Sequence, residues 1–205
     1  MTDAEADTAI ARSKDVAGWL AAELNDLPID ATLRNRMAGG CLSVSQDHHS
    51  AIVLLLEVKL YASAFALVRI QYDAYVRGLW LSLCATDDEV SAYSNGNEPK
   101  KMTNMGAMLV ELESVEAYES GQLSRFKADG WTAMCSYTHT GGLQVQRWQT
   151  AQAIEPNYPP EEICEVANVS AAFSLLAGVG IAALAKDDAL ALRLLEKMKA
   201  FAANP

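Results

Sequence analysis

Arg69, Asp73 and Arg77 follow one another at steps of four residues, and on a helical wheel Tyr72, Val76 and Trp80 fall in the same arc. An acid set one turn from each of two bases can hold both guanidinium groups in place. Each guanidinium then keeps further donors for an outside anion. The same spacing also serves a purely structural ladder, since charges withdrawn from water must be paired. Two aromatic rings and a Val among the charges are unusual for a plain solvent face, so the arc can also be the wall of a cleft. The opposite face, Leu67, Ile70, Ala74, Gly78 and Leu81, is apolar, and Gln71, Tyr75 and Ser82 form an uncharged flank.

A second group lies at Tyr137-Thr138-His139-Thr140-Gly141-Gly142, followed by Gln144, Arg147 and Trp148. Histidine in general titrates near neutrality and can act as acid or base. Paired glycines let a backbone approach a ligand closely. The alternative is that His139 caps the carbonyl end of the preceding helix, where a cation is favoured. His48-His49 is weaker: adjacent helical residues point about 100° apart, so one should pack and the other face water. No H-x-x-x-H or C-x-x-C spacing occurs, and neither metal nor cofactor is expected. No dinucleotide, phosphate-loop or nucleophile-elbow motif occurs either, and Gly178-Val179-Gly180 lies inside an apolar helical stretch.

The elements that must position these residues all read as helices. The first should run from Ala4 to Asn25, with Ile10, Val16, Leu20 and Leu24 at helical spacing. Asp30 should cap a second that pauses at Gly39-Gly40 and reaches Lys59. After a turn at Tyr61–Ser63, the helix Ser63–Leu83 carries the charged arc. Thr86 and Glu89 form a capping box for a short helix ending at Asn95-Gly96. Pro99 suits the first turn of the next, reaching Glu113. Gln122–Tyr137, with Gly130 as a bending point, leads to His139. An irregular stretch, Thr138–Pro160, precedes Glu161–Ala185 and a last helix, Asp187–Ala202, capped by Asp187. The expectation is one all-α domain over residues 1–205, an antiparallel bundle of about seven or eight helices.

Composition narrows the function classes. The 205 residues carry 16 Lys plus Arg against 26 Asp plus Glu, a formal charge of -10. Such a body repels polyanions and anionic membranes, and Lys100-Lys101 is the only adjacent basic pair. Cys41, Cys84, Cys135 and Cys164 read as reduced, mostly buried thiols. MTDAEADTAI has no basic segment followed by an apolar one, so a cytoplasmic location is expected. Val166–Ala185 has twenty uncharged residues, but Ala, Gly and Ser dominate it, which predicts a buried core helix and no membrane. Its Ser170, Ser174, Gly178 and Ala182 step by four, a smooth ridge for close packing inside the chain or across a dimer.

Ala62–Leu81, ASAFALVRIQYDAYVRGLWL, resembles the signature helix of bacterial helical families of unknown function allied to the HEPN superfamily. Those have an Ala-rich helix with an Arg followed four residues later by Glu or Asp, here Arg69 and Asp73. Tyr137-Thr138-His139-Thr140-Gly141 resembles the helix end with Ser or Thr and a His in the same relatives. The resemblance spans roughly Asp47–Trp148. It implies an antiparallel, often homodimeric bundle, some members being metal-independent ribonucleases in phage defence or toxin–antitoxin pairs. The R-x(4–6)-H motif of HEPN ribonucleases is missing, the nearest upstream Arg being Arg125. A site rebuilt on different helices would use Arg69 as phosphate clamp, Asp73 to orient it and His139 as acid or base. Tyr72, Arg77, Trp80, Tyr137, Thr138, Gln144 and Arg147 would line it, with RNA or a nucleotide as ligand. The competing expectation is a non-enzymatic module that binds a ligand or a cognate protein partner.

Overall fold

The computed structural model describes residues 1–203, and over them the chain is all-α, with no strand. Nine helices follow in order: α1 (Asp3–Leu24), α2 (Leu33–Glu57), α3 (Tyr61–Leu83), α4 (Asp87–Ser94), α5 (Met105–Leu112), α6 (Gln122–Thr138), α7 (Gly142–Gln146), α8 (Pro160–Ala185) and α9 (Asp188–Ala202). A 3-10 turn, Glu116–Tyr118, joins α5 to α6. The ninth helix, beyond the seven or eight expected, is the short α7 within the stretch read as irregular.

Local chemistry sets most ends. Thr86 and Glu89 make the expected reciprocal box on α4, and Asp187 accepts from Leu190 N–H to start α9. Asp30 does not cap α2: Thr32, next to the first helical residue, accepts from Asn35 N–H, and Asp30 pairs with Lys186 at 2.7 Å instead. α2 does not pause at Gly39-Gly40, since the flanking Ala38 and Leu42 are fully buried and hold the helix through them. The chain reverses at Val58–Leu60, where Lys59 has φ of 60°, so α3 begins at Tyr61. Pro99 opens only a turn, closed by Met102 N–H to the Pro99 carbonyl, and α5 starts after Asn104, whose side chain caps it. α6 runs through Gly130 as one helix.

α3 is the central element. It makes the largest helix pair with α2 and also packs on α5, α6 and α8. α8 packs on α1, α2, α3 and α9. Its small-residue ridge is used inside the chain: Ser170, Ser174 and Ala182 are buried, and a Cβ on Gly178 would stand 3.0 Å from Leu20 and 3.1 Å from Leu194. The ridge therefore offers no surface to a second copy. α8 is long and apolar enough to cross a membrane, and 56% of its most apolar window is buried.

A polar spine runs through this core. His49, wholly buried, contacts Ser170 Oγ through Nδ1 at 2.9 Å and the Ser13 carbonyl through Nε2 at 3.1 Å. Gln71 donates to the Ser170 carbonyl, and Ser45 to that of Gln71. Of the two histidines His49 packs, and His48 is half-exposed. The four cysteines are free thiols, Cys164 buried and the others partly so.

Candidate functional site

The site is built where the C-terminal end of α6 is fastened to the middle of α3. Thr138, the last residue of α6, donates its hydroxyl to the Ala66 carbonyl at 3.1 Å, one turn before Arg69. His139 follows as the helix cap, and Thr140 turns left-handed with φ of 54°. Gly141 N–H then closes back on the Ser136 carbonyl at 2.7 Å, the six-residue return that ends helices in a Schellman motif. Glycine is required at 141, because a Cβ there would lie 2.6 Å from Ser136 Oγ and 3.0 Å from its Cα. Leu143 N–H caps on the same Ser136 hydroxyl, which launches α7.

This turn presents the exposed His139 ring to α3. Arg69 Nη1 donates to His139 Nε2 at 2.5 Å, so that nitrogen is the acceptor and the ring proton sits on Nδ1. The Arg69 guanidinium lies over the Trp131 ring at 4.7 Å, and Lys127 Nζ is 5.3 Å from the same ring. Arg69 Nε is 4.0 Å from Asp73 Oδ2, an ion pair without a close hydrogen bond. Burial pushes the Asp73 carboxyl up, and Arg69 and Arg77 pull it back in part. The arrangement can hold an anion on the remaining donors of Arg69, beside the imidazole that the guanidinium touches.

The predicted residues divide three ways. Arg69 touches both His139 and Asp73, which are joined only through it. Arg77 turns to the other side of Asp73, pairing with Glu98 at 2.8 Å. There it lines an open cavity of about 510 Å³ with Asp73 itself, Arg36, His48 and Tyr93. Tyr72 and Trp80 do not line any cleft. Both are fully buried, the Tyr72 hydroxyl donating to the Leu123 carbonyl and the Trp80 indole to Glu111. α5 and α6 cover the part of the arc that the helical wheel leaves facing outward, and each aromatic finds a partner for its polar tip there.

Tyr137, Thr138, Gln144 and Arg147 belong to the neighbouring turn and α7. Thr138 and Gln144 are fasteners, Gln144 donating to the Ala62 carbonyl. Arg147 grips Glu162 of α8 through Nε and Nη2, and the Tyr137 hydroxyl joins the same carboxylate at 3.2 Å. Glu162 holds the Arg147 guanidinium more firmly protonated, while burial drives the Tyr137 phenol up to about 12. These groups stand at the rim of a separate cavity of about 270 Å³, between α6 and α8. Trp131 and Lys127 escape the motif reading, although Lys127, Trp131 and His139 stand four and eight residues apart along one stripe. Among the described residues no group of three or more His, Cys, Asp or Glu could hold a metal.

Residues 42–204 match a family of unknown function, DUF6988. No curated protein and no solved structure matches the chain.

Proposed function

We propose, from the premise that this chain belongs to the DUF6988 family of unknown function, that Arg69 and His139 form a phosphate-directed site acting on RNA or a nucleotide without a metal. The observation that carries this reading is the direct Arg69–His139 contact, made by residues seventy positions apart. Arg69 keeps donors for a phosphate, and a guanidinium stacked on Trp131 and tethered near Asp73 is pre-ordered for it. His139 Nε2 accepts from Arg69 in the free chain; a phosphate that draws the guanidinium onto itself releases this nitrogen to take a proton from an attacking hydroxyl. The wider proposal is a HEPN-like antiparallel bundle, homodimeric and cytoplasmic, serving phage defence or a toxin–antitoxin pair with a cognate protein. The resemblance of Ala62–Leu81 supports it.

The test is cleavage of a labelled oligoribonucleotide, and binding of a nucleotide, in the presence of a chelator. Arg69→Ala and His139→Ala should each abolish the signal while His139→Ala melts like the wild type. A wild-type protein that neither cleaves nor binds, or variants that match it, would overturn the reading. The second reading, a non-enzymatic binding module, is favoured by the net charge of -10, which opposes a long polyanion. Nucleotide binding lost in both variants without any cleavage by the wild type would select it.

A further inference from the structure

α6 and α8 both pack on α3, yet their backbones make little direct approach to one another. The gap between them is the 270 Å³ cavity, floored by Phe65 and Val68 of α3 and walled by Phe126 and Met134 of α6 and by Val166 and Val169 of α8. We infer that this cavity binds a compact organic cation, an amine on a small aromatic or branched hydrocarbon body. The inference stands apart from the Arg69–His139 reading and uses none of its residues.

Three observations carry it. The first is size and lining. The volume lies near the lower end of small-molecule pockets, too small for a nucleotide, and the walls are mostly apolar, the polar lining groups being Glu165 and the mutually bonded Tyr137, Arg147 and Glu162.

The second is Gly130, in the interior of α6 and on the cavity wall. Glycine weakens a helix interior relative to alanine. Packing gives no reason for it here, since a Cβ would meet only Met134 Cε at an ordinary 3.6 Å. Gly78 of α3 is the contrast: a Cβ there would sit 2.7 Å from Leu42. At Gly130 the missing side chain leaves the cavity open, and that is its structural effect.

The third is charge. Arg147 and Glu162 neutralise one another in a two-pronged pair, with Tyr137 on the same carboxylate. Glu165, exposed and lining the cavity, has no ion-pair partner among the described residues and leaves the lining with one net negative charge.

Benzylamine, benzyl alcohol and benzoate have one shape and three charges, and serve as probes in NMR titrations of the full chain at neutral pH. Benzylamine should bind at least tenfold more tightly than benzoate, with shifts at Gly130, Val166 and Val169. Gly130→Leu, which fills the space, should abolish binding and melt no lower than the wild type, whereas Gly130→Ala should retain it. Val166→Phe closes the cavity from the α8 side and repeats the test should Gly130→Leu fail to fold. Glu165→Gln should remove the advantage of benzylamine over benzyl alcohol. No binding by any probe, equal or tighter binding of benzoate, or binding undisturbed by both filling variants would overturn the inference.

Discussion

His49 and Ser170 share a hydrogen bond of 2.9 Å, Nδ1 to Oγ, inside the core where α2 meets α8. The other ring nitrogen faces the Ser13 carbonyl, which can only accept. Nε2 therefore carries the proton, Ser170 donates to Nδ1, and the ring is neutral in the folded chain.

That neutrality predicts an acid-sensitive fold. Burial lowers the His49 pKa from 6.5 to about 4, the Ser13 carbonyl opposing it in part. As pH falls from 6.5 the unfolded chain takes up a proton that the folded chain refuses until about pH 4. The unfolded state then binds more protons, so stability drops with pH across that window and is fully present above it. The loss should reach about 3 kcal/mol. Urea unfolding at pH 7, 5.5 and 4 measures it, and His49→Gln should flatten the slope over the same range. A wild-type slope as flat as that of the variant would refute the assignment.

Asp73→Asn should leave the neutral-pH melting temperature unchanged or raise it. The Asp73 carboxyl is pushed up on folding because burial outweighs Arg69 and Arg77. A carboxyl raised on folding favours the fold while protonated and loses that contribution as pH rises through its folded value. The amide removes this penalty, so any gain should vanish in acid. Thermal melts at pH 7 and pH 3.5 decide it; a large loss at pH 7 would mean the ion pairs dominate.

Thr140→Gly should stabilise the chain. A β-branched residue at φ of 54° is strained, and glycine relieves a strain of about 1 kcal/mol there. The same change loosens the turn that aims His139 at Arg69. Higher stability with weaker cleavage or nucleotide binding is the expected pair of results. Stability and activity rising together would show that the strain has no part in aiming the ring.

Gly78→Ala should destabilise by about 1–3 kcal/mol although alanine is the better helix former. Its Cβ would fall 2.7 and 2.8 Å from two carbons of Leu42 and 3.1 Å from the Ala38 carbonyl, all within the α2–α3 contact. Chemical denaturation compares the two proteins directly. In a Leu42→Ala background, itself destabilised by the cavity it leaves, Gly78→Ala should cost less than in the wild type, because the new methyl then has room.

What could be read from sequence was what is local. Thr86 with Glu89, Asp187 as a cap and the four-residue step from Arg69 to Asp73 are decided within one or two turns, and the structure holds each geometry. Contact between Arg69 and His139 was suggested by the chemistry of the two groups together with the family resemblance, since no spacing rule links residues seventy apart. Tyr72 and Trp80 misled because a helical wheel sorts faces without saying which neighbours cover them. Leu123 and Glu111, on α6 and α5, supply partners that make burial of a hydroxyl and an indole tolerable. His49 was half legible. One of two adjacent histidines had to pack, but which one depended on the Ser170 hydroxyl and the Ser13 backbone carbonyl, both on distant helices.

The two halves of the Arg69–His139 pair stand on supports of unequal strength. α3 has twelve buried residues, and α6 has two, Leu123 and Met134. Backbone amides of α6 should therefore exchange with solvent through local openings at lower free energy than those of α3. Each such opening would carry His139 and Trp131 away and leave Arg69 and Asp73 in place. On warming, the pair should therefore separate while the rest of the chain is still folded, giving any activity that needs the contact a ceiling temperature of its own, below that of the protein.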